Sequence, residues 1–177
     1  GLDFYDDLEV DNTKSYWEKH KAVYAEAVKA PMTELCAALE QEFGPAKIFR
    51  PYRDVRFAKD KTPYKLDIYA MNRRADGSGY YVRFGRDGLS VGGGLYAPER
   101  GRLAQVREAI DDDEKGAELE RVVAQLEPAG IELMRAGALK TAPKGYPVDH
   151  PRIELLRLPH IAGVTQFRPA AWLHTPK

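Results

Sequence analysis

The segment from Arg50 to Lys65 constrains the fold most, because its sequence, RPYRDVRFAKDKTPYK, combines two prolines with an excess of basic residues. Proline lacks a backbone N–H and breaks helices, whereas the valine and aromatic residues of this segment favour extended backbone. We therefore predict two extended stretches joined by a turn at residues 59–62. The basic side chains are Arg50, Arg53, Arg56, Lys59, Lys61 and Lys65, and the acidic ones are Asp54 and Asp60.

This local positive excess indicates a local anion site, since the whole chain has a formal net charge of zero. In extended backbone Asp54 and Arg56 lie on one face, where the carboxylate can orient the guanidinium. A guanidinium has several N–H donors, so some of them would remain free for a phosphate or carboxylate ligand. The alternative is an internal network of salt bridges that fixes the loop. The alternation of arginine and aspartate does not separate these two hypotheses.

The hydrophobic pattern changes from helical to alternating after this segment, which predicts β-strands. Three strands, separated by the turns RADGSG and GRDG, would form an antiparallel meander between Tyr64 and Tyr96. Helical patterns lie before and after the meander. At 177 residues and 44% hydrophobic content, we predict a single α+β domain over residues 1–177. Flanking strands from residues 46–57 and from the C-terminal part would extend the sheet, and helices would cover it.

The predicted helices carry specific expectations about capping. Asp11, Asn12 and Thr13 precede a helical pattern and are candidate N-caps, because their side chains can accept from the first backbone N–H groups. The acidic run Asp111–Glu114 lies at another helix junction, where carboxylates favour the positive N-terminal end of the next helix. Metal binding is the less favoured interpretation of that run. The helix after Pro31 is expected to direct Leu35, Leu39 and Phe43 toward the core.

Two further segments have restricted or permissive backbones. Gly92-Gly93-Gly94 would allow close approach of another backbone or a ligand, or would form a strand bulge. Residues 140–151 contain three prolines and a glycine, which can hold polar side chains firmly. The polar side chains of that second segment are Lys140, Lys144, Asp149 and His150. Asp149 could fix the tautomer of His150 and make an acid–base pair. A structural cap or a buried hydrogen bond is the alternative for His150.

Composition excludes several classes of protein. A formal charge of zero argues against a general nucleic-acid coat or a membrane-surface protein, so we expect duplex DNA to bind weakly if at all. The single cysteine excludes an intrachain disulfide, and four scattered histidines match no closed zinc site, so no metal or cofactor is expected. No apolar run is as long as a membrane span and no signal segment begins the chain, which predicts a cytoplasmic protein. We expect residues 170–174 to form a C-terminal tail that packs Trp172 against the rest of the protein.

Four motifs carry a resemblance to a known family. They are WEKHK at Trp17–Lys21, RPYRDVRFAKDKTPYK at Arg50–Lys65, VGGGLY at Val91–Tyr96 and PKGYPVDHP at Pro143–Pro151. By these motifs the chain resembles, over nearly its whole length, the family called domain of unknown function 2461, which occurs in bacteria and some fungi. The resemblance implies no established activity, cofactor or catalytic residue.

Three hypotheses for function follow from the residues. The first is an enzyme that acts on a phosphorylated or otherwise anionic small molecule, with His150, Asp149, Asp54 or Tyr64 as acid or base. The second is a non-catalytic module that binds an anion or a partner, and the third is a purely structural salt-bridge network. The anion would contact basic groups among Arg50, Arg53, Arg56, Lys59, Lys61, Lys65, Lys140 and Lys144. In the most specific form, Arg53 and Arg56 bind the anion, and residues 140–150 close over it.

Overall fold

A computed structural model describes residues 1–170, which contain six α-helices and six β-strands. The helices are α1 (Leu2–Val10), α2 (Lys14–Tyr24), α3 (Ala30–Phe43), α4 (Arg100–Asp111), α5 (Asp113–Leu126) and α6 (Ile153–Leu156), with a π-helical turn at Ala25–Lys29. The strands are β1 (Lys47–Ile48), β2 (Asp67–Arg73), β3 (Ser78–Gly85), β4 (Gly88–Leu95), β5 (Glu132–Leu133) and β6 (Ile161–Phe167). The predicted docking of Trp172 lies outside the described residues.

The strands form one sheet in the order β1-β2-β3-β4-β6-β5. The predicted meander is confirmed as the consecutive strands β2, β3 and β4, and the predicted flanking strands are β1 on one side and β6 and β5 on the other. Both edge pairs are antiparallel, with Ile48 opposite Ala70 and Leu133 opposite Gly163. The α+β class is therefore confirmed.

Backbone contacts divide the chain into two compact units, and each is described by itself. The first unit comprises Gly1–Asn72, Tyr80–Val91 and the described residues from 166 on. The second comprises Arg73–Gly79 and Gly92–Thr165. That residues 1–177 form a single domain stays a prediction.

The core of the first unit is rich in aromatic residues. Its buried side chains are Phe4, Tyr5, Leu8, Trp17, Tyr24, Val28, Met32, Tyr64, Ile68, Ala70 and Val82. The rings of Trp17 and Tyr64 stack, with centroids 4.3 Å apart and planes 10° apart. This contact joins α2 to the segment that enters β2, so the WEKHK motif and the Arg50–Lys65 motif meet in the core.

The predicted inward face of α3 is wrong for two of its residues. Leu35 and Leu39 are each 37% exposed, whereas Met32 is 4% exposed. The physical reason is the π-helical turn at Ala25–Lys29, which widens one turn and shifts the buried face of every later residue. Buried positions therefore recur at Tyr24, Val28 and Met32, four residues apart.

The second unit is built on an aliphatic core. Ile110, Leu155, Leu156 and Leu158 are buried, and side chains from α4 and α5 pack against them. Gly94 has a φ of +132°, and a Cβ at that position would lie 2.3 Å from the carbonyl oxygen of Ile161. The glycine run thus allows the close approach of another backbone, here that of β6.

The acidic run at the junction of α4 and α5 acts as a cap, as predicted. The Asp112 carboxylate accepts from the backbone N–H groups of Glu114 and Lys115 at 3.2 and 2.9 Å. Within residues 1–170, no three His, Cys, Asp or Glu side chains are grouped as metal ligands would be. None of the described helices combines the length and the apolar character needed to cross a bilayer.

Candidate functional site

The segment from Arg50 to Lys65 folds back on itself as an antiparallel hairpin in the first unit. The Arg53 N–H donates to the Pro63 carbonyl and the Lys65 N–H donates to the Pro51 carbonyl, each at 2.8 Å. Tyr52 and Tyr64 form the bridge between the two arms. The predicted extended stretches and their turn are therefore confirmed. Both prolines take part through their carbonyl oxygens, so their lack of a backbone N–H does not disturb this pairing.

The side chain of Asn12 anchors this hairpin. Its Nδ2 donates to the Tyr64 carbonyl at 3.1 Å, and its Oδ1 accepts from the Tyr64 N–H at 3.0 Å. The capping role belongs instead to Thr13, whose Oγ1 accepts from the Tyr16 N–H at 3.2 Å. Asn12, two residues before the start of α2, therefore fixes a hairpin arm, a role that its local sequence does not indicate.

Arg53 is held in one orientation while part of its guanidinium stays free. Its Nη1 donates to Asp60 Oδ2 and to Thr62 Oγ1, and its side chain is 33% exposed. Its Nε and Nη2 have no hydrogen bond or ion pair with any residue in the described part of the chain. Nε–H and the adjacent Nη2–H are the parallel donors with which arginine binds a carboxylate or phosphate in a bidentate manner.

Asp60 stays ionised at neutral pH and so keeps Arg53 in place. Its Oδ1 accepts from the backbone N–H of Thr62 at 2.9 Å and from Thr62 Oγ1 at 2.8 Å. The backbone hydrogen bond from Thr62, followed by the side-chain bonds from Arg53 and Thr62, lowers the pKa of Asp60 to about 2. Both carboxylate oxygens of Asp60 are therefore committed to holding the turn.

Arg56 donates to Asp54 from Nε and Nη2, the same two nitrogens that Arg53 leaves for a ligand. Its Nε donates to Asp54 Oδ1 at 2.9 Å, and its Nη2 donates to Asp54 Oδ2 at 2.6 Å. The predicted pairing of these two residues on one face is confirmed. The hydrogen bond from Arg56 lowers the pKa of Asp54, which weakens this carboxylate as a general base. Lys61 braces the same loop by donating from Nζ to the Val55 carbonyl at 2.9 Å.

The base of the hairpin lines a cleft of about 420 Å³ in the first unit. Its lining residues are Glu9, Asn12, Arg53, Asp60, Thr62, Tyr64, Lys65, Leu66 and Asp67. Arg53 and Lys65 are its cations. Lys65 Nζ lies 5.1 Å from the ring centroid of Tyr69, and no carboxylate of residues 1–170 forms an ion pair with it. Sequence reasoning missed Glu9, Asn12 and Asp67, because α1 and β2 bring them to the cleft from outside the hairpin.

The remaining cationic candidates and Asp149 lie on the surface. Arg50, Lys59, Lys140, Lys144 and Asp149 are all exposed. No side-chain ion pair joins any of these to another described residue. Their predicted roles in binding or catalysis stay predictions.

His150, in the second unit, has both ring nitrogens in hydrogen bonds. Its Nδ1 accepts from the Arg152 backbone N–H at 2.9 Å, so Nε2 carries the proton and donates to Asp111 Oδ1 at 2.9 Å. Asp111, and not Asp149, is thus the carboxylate bound to the imidazole. The arrangement supports the structural alternative for His150. The predicted closure of residues 140–150 over the arginines stays a prediction.

Arg152, whose backbone N–H binds His150, is itself anchored through its side chain. Its side chain is 10% exposed and donates from Nη1 to the Ile110 carbonyl at 3.2 Å and from Nε to Glu120 Oε2 at 3.0 Å. It therefore caps the C-terminal end of α4, where unpaired carbonyls carry partial negative charge. Sequence reasoning missed this residue, since the carbonyls that it binds are 39 to 42 positions away.

Comparison with known proteins adds the family and no chemistry. No curated protein and no solved structure matches the chain. The family described as conserved hypothetical protein DUF2461 matches residues 1–176, which is nearly the entire sequence. The four motifs and this match agree, and the chain belongs to that family.

Proposed function

We propose that this protein is a non-catalytic module that binds a small anionic ligand in the cleft at the base of the hairpin. One observation carries the proposal. Arg53 is oriented by Asp60 and Thr62 through Nη1 alone, which leaves its Nε and Nη2 donors for a carboxylate or phosphate group. A guanidinium held in advance loses little conformational freedom when it binds, and such preorganisation strengthens binding.

The cleft itself supports the proposal. Its volume of about 420 Å³ falls within the range of small-molecule sites, roughly 300–1,000 Å³. Lys65 supplies a second cation in the same lining without a carboxylate partner in the described chain. Asn12 and Thr62 add polar groups that can fix the orientation of a ligand.

Catalysis on an anionic substrate is the alternative function. It requires a general acid or base beside the bound anion. No histidine is among the described residues that line the cleft, and Asp60, with a pKa of about 2, is a weak base. The other lining carboxylates, Glu9 and Asp67, are ion-paired with arginines. Burial raises the pKa of Tyr64, whose ring stacks on Trp17. Asp54 pairs with Arg56 outside that lining, and His150 has both nitrogens in hydrogen bonds. The binding module therefore fits the geometry better.

A pair of matched substitutions tests the role of Arg53. Arg53→Lys keeps the charge beside Asp60 but removes the two parallel donors, whereas Arg56→Lys changes an arginine whose donors Asp54 already occupies. We expect millimolar phosphate or sulfate to raise the melting temperature of the wild type and of Arg56→Lys, because a ligand that binds only the native state stabilises it. Arg53→Lys should lose most of that shift. An equal shift in Arg53→Lys and the wild type would contradict the proposal.

A second pair tests Lys65. Lys65→Met removes the ammonium from the cleft, while Lys59→Met removes one from the exposed loop. We expect the first change to weaken phosphate binding about tenfold and the second to leave it within about twofold, since exposed charges are screened by solvent. Isothermal titration calorimetry at a fixed ionic strength measures both. Equal weakening by the two changes would assign the effect to net charge alone.

We also propose that the protein is cytoplasmic and that it binds no nucleic acid specifically. The formal charge of zero leaves acidic groups over the surface that repel a phosphate backbone. Binding of duplex DNA should therefore be weak at physiological salt. Submicromolar binding in a filter or fluorescence assay under those conditions would contradict this part of the proposal.

A further inference from the structure

Two acidic residues of the cleft, Glu9 and Asp67, each share one arginine with a second carboxylate. Asp67 accepts from Arg83 Nε at 2.9 Å, and the same guanidinium donates from Nη1 to Asp87 at 3.1 Å. One cation thus serves two carboxylates, and the group keeps one net negative charge. The side chain of Arg83 is 31% exposed and that of Asp67 is 25% exposed, so solvent screens their charges only in part.

Glu9 stands in the same relation to Arg86. The Arg86 guanidinium donates from Nε to Asp6 at 3.1 Å and pairs through Nη1 with Glu9. This second group also keeps one net negative charge. Both Glu9 and Asp67 line the cleft, so two partly compensated carboxylates face the same space as Arg53 and Lys65.

The cationic residues of the lining have the opposite balance. Arg53 and Asp60 form a one-to-one pair, and Lys65 adds a charge that no described carboxylate offsets. One cleft therefore offers a bidentate donor edge with an extra positive charge, and two carboxylates with excess negative charge. A ligand with anionic groups alone would bind the first set and be repelled by the second.

We infer that the ligand is a zwitterion, a small molecule that carries a carboxylate or phosphate together with an ammonium group. The anionic group binds the Nε and Nη2 edge of Arg53 with Lys65 nearby, and the ammonium donates to Glu9 and Asp67. This inference rests on the proposed function and specifies its ligand class. It also accounts for a mixed lining that a simple anion site would not need, since like charges opposite a ligand reduce its affinity.

The test compares compounds that differ only by the amine. The probes are the standard amino acids and phosphoethanolamine, each set against the same compound without its amine, such as propionate for alanine, succinate for aspartate and ethyl phosphate for phosphoethanolamine. Calorimetric titration of the full chain should give at least one zwitterion that binds ten times or more tighter than its amine-free partner. Glu9→Gln and Asp67→Asn should each reduce that preference about threefold to tenfold, by weakening binding of the zwitterion without weakening that of the amine-free compound.

Glu18→Gln is the matched control, because Glu18 is also a half-exposed helical glutamate in an ion pair, with Lys21 at 2.8 Å, but does not line the cleft. It should leave the preference unchanged. Circular dichroism confirms folding of each variant, and Glu9→Gln alone decides the case if Asp67→Asn does not fold. Equal or tighter binding of the amine-free compounds, with loss in Arg53→Lys, would overturn the zwitterion and keep the anion site. No binding of any probe would overturn both proposals.

Discussion

The carboxamide of Asn12 makes both backbone hydrogen bonds of Tyr64, a residue 52 positions further along the chain. In this way one side chain acts as a strand partner for a single residue. Tyr64 is 4% exposed and stacks on Trp17, so its backbone groups have little access to water. Asn12 thereby fixes the arm of the hairpin that carries Lys65 into the cleft.

Asn12→Ala should lower the free energy of unfolding by about 2 kcal/mol, because it leaves a partly buried N–H and C=O of Tyr64 without partners. Thr13→Ala, which removes only the N-cap of α2, should cost about 1 kcal/mol. Urea denaturation followed by circular dichroism measures both. A smaller loss for Asn12→Ala than for Thr13→Ala would contradict the structural role given to the carboxamide.

Two helical glycines should respond in opposite directions to substitution by alanine. In α5 a Cβ on Gly116 would lie 2.3 Å from the Ile110 carbonyl oxygen and 2.7 Å from the Arg152 guanidinium. Gly116→Ala should therefore destabilise the fold by about 1–3 kcal/mol through overpacking. In α4 a Cβ on Gly101 would meet nothing within 4 Å, so Gly101→Ala should stabilise by about 0.5–1 kcal/mol. Thermal and urea unfolding compare them, and stabilisation by Gly116→Ala would disprove the capping geometry of Arg152.

His160 should make the stability fall in mild acid. Its ring is 7% exposed and stacked on Tyr96, its Nε2 is buried without a partner among the described residues, and burial lowers its pKa. The unfolded state, with the ordinary pKa of about 6.5, then binds the proton more readily than the folded state. Stability is full above that pH and decreases as the pH falls through it.

His160→Phe keeps an aromatic ring against Tyr96 and removes the titration. Its free energy of unfolding, measured from pH 7.5 to 5.5, should decrease less than that of the wild type. Parallel profiles for the two proteins would show that His160 makes no contribution to the acid sensitivity. The most specific result would be a variant that is more stable than the wild type at pH 5.5 but not at pH 7.5.

Asp60 should matter in a more acidic range. Its folded pKa of about 2 lies below the ordinary value of 3.8, so the ionised form stabilises the native state. That stabilisation is complete above about pH 5 and is lost progressively as the pH falls from there through 2. The difference in unfolding free energy between wild type and Asp60→Asn should shrink over this range. A difference that stays constant down to pH 2 would contradict the depressed pKa.

Local sequence signals predicted much of the fold. The prolines, the valine and the aromatic residues indicated the hairpin, the alternating pattern indicated the meander, and Asp112 caps α5 as the acidic run predicted. The last strand, Ile161–Phe167, lies in the C-terminal part of the chain, from which a flanking strand was predicted. In each case the sequence signal lies within the element that it predicts.

The rest depended on contacts that no local pattern encodes. The π-helical turn shifted the inward face of α3, so Leu35 and Leu39 became exposed. Arg53 and Arg56 have similar sequence surroundings, yet Asp60 reaches back seven residues to one, and Asp54 takes the bidentate edge of the other. Arg53 therefore keeps its Nε and Nη2 donors for a ligand and Arg56 does not, and this difference is visible only in the folded hairpin.

The two-residue strands at the edges of the sheet have a consequence for behaviour at high concentration. β1 and β5 each offer an incoming strand only a few backbone donors and acceptors, and Pro45 and Pro51 flank β1. Long, regular edges promote intermolecular β-pairing and polymerisation, whereas short edges bounded by proline resist them. Even at high concentration, fibrillar assembly through these edges should therefore be disfavoured.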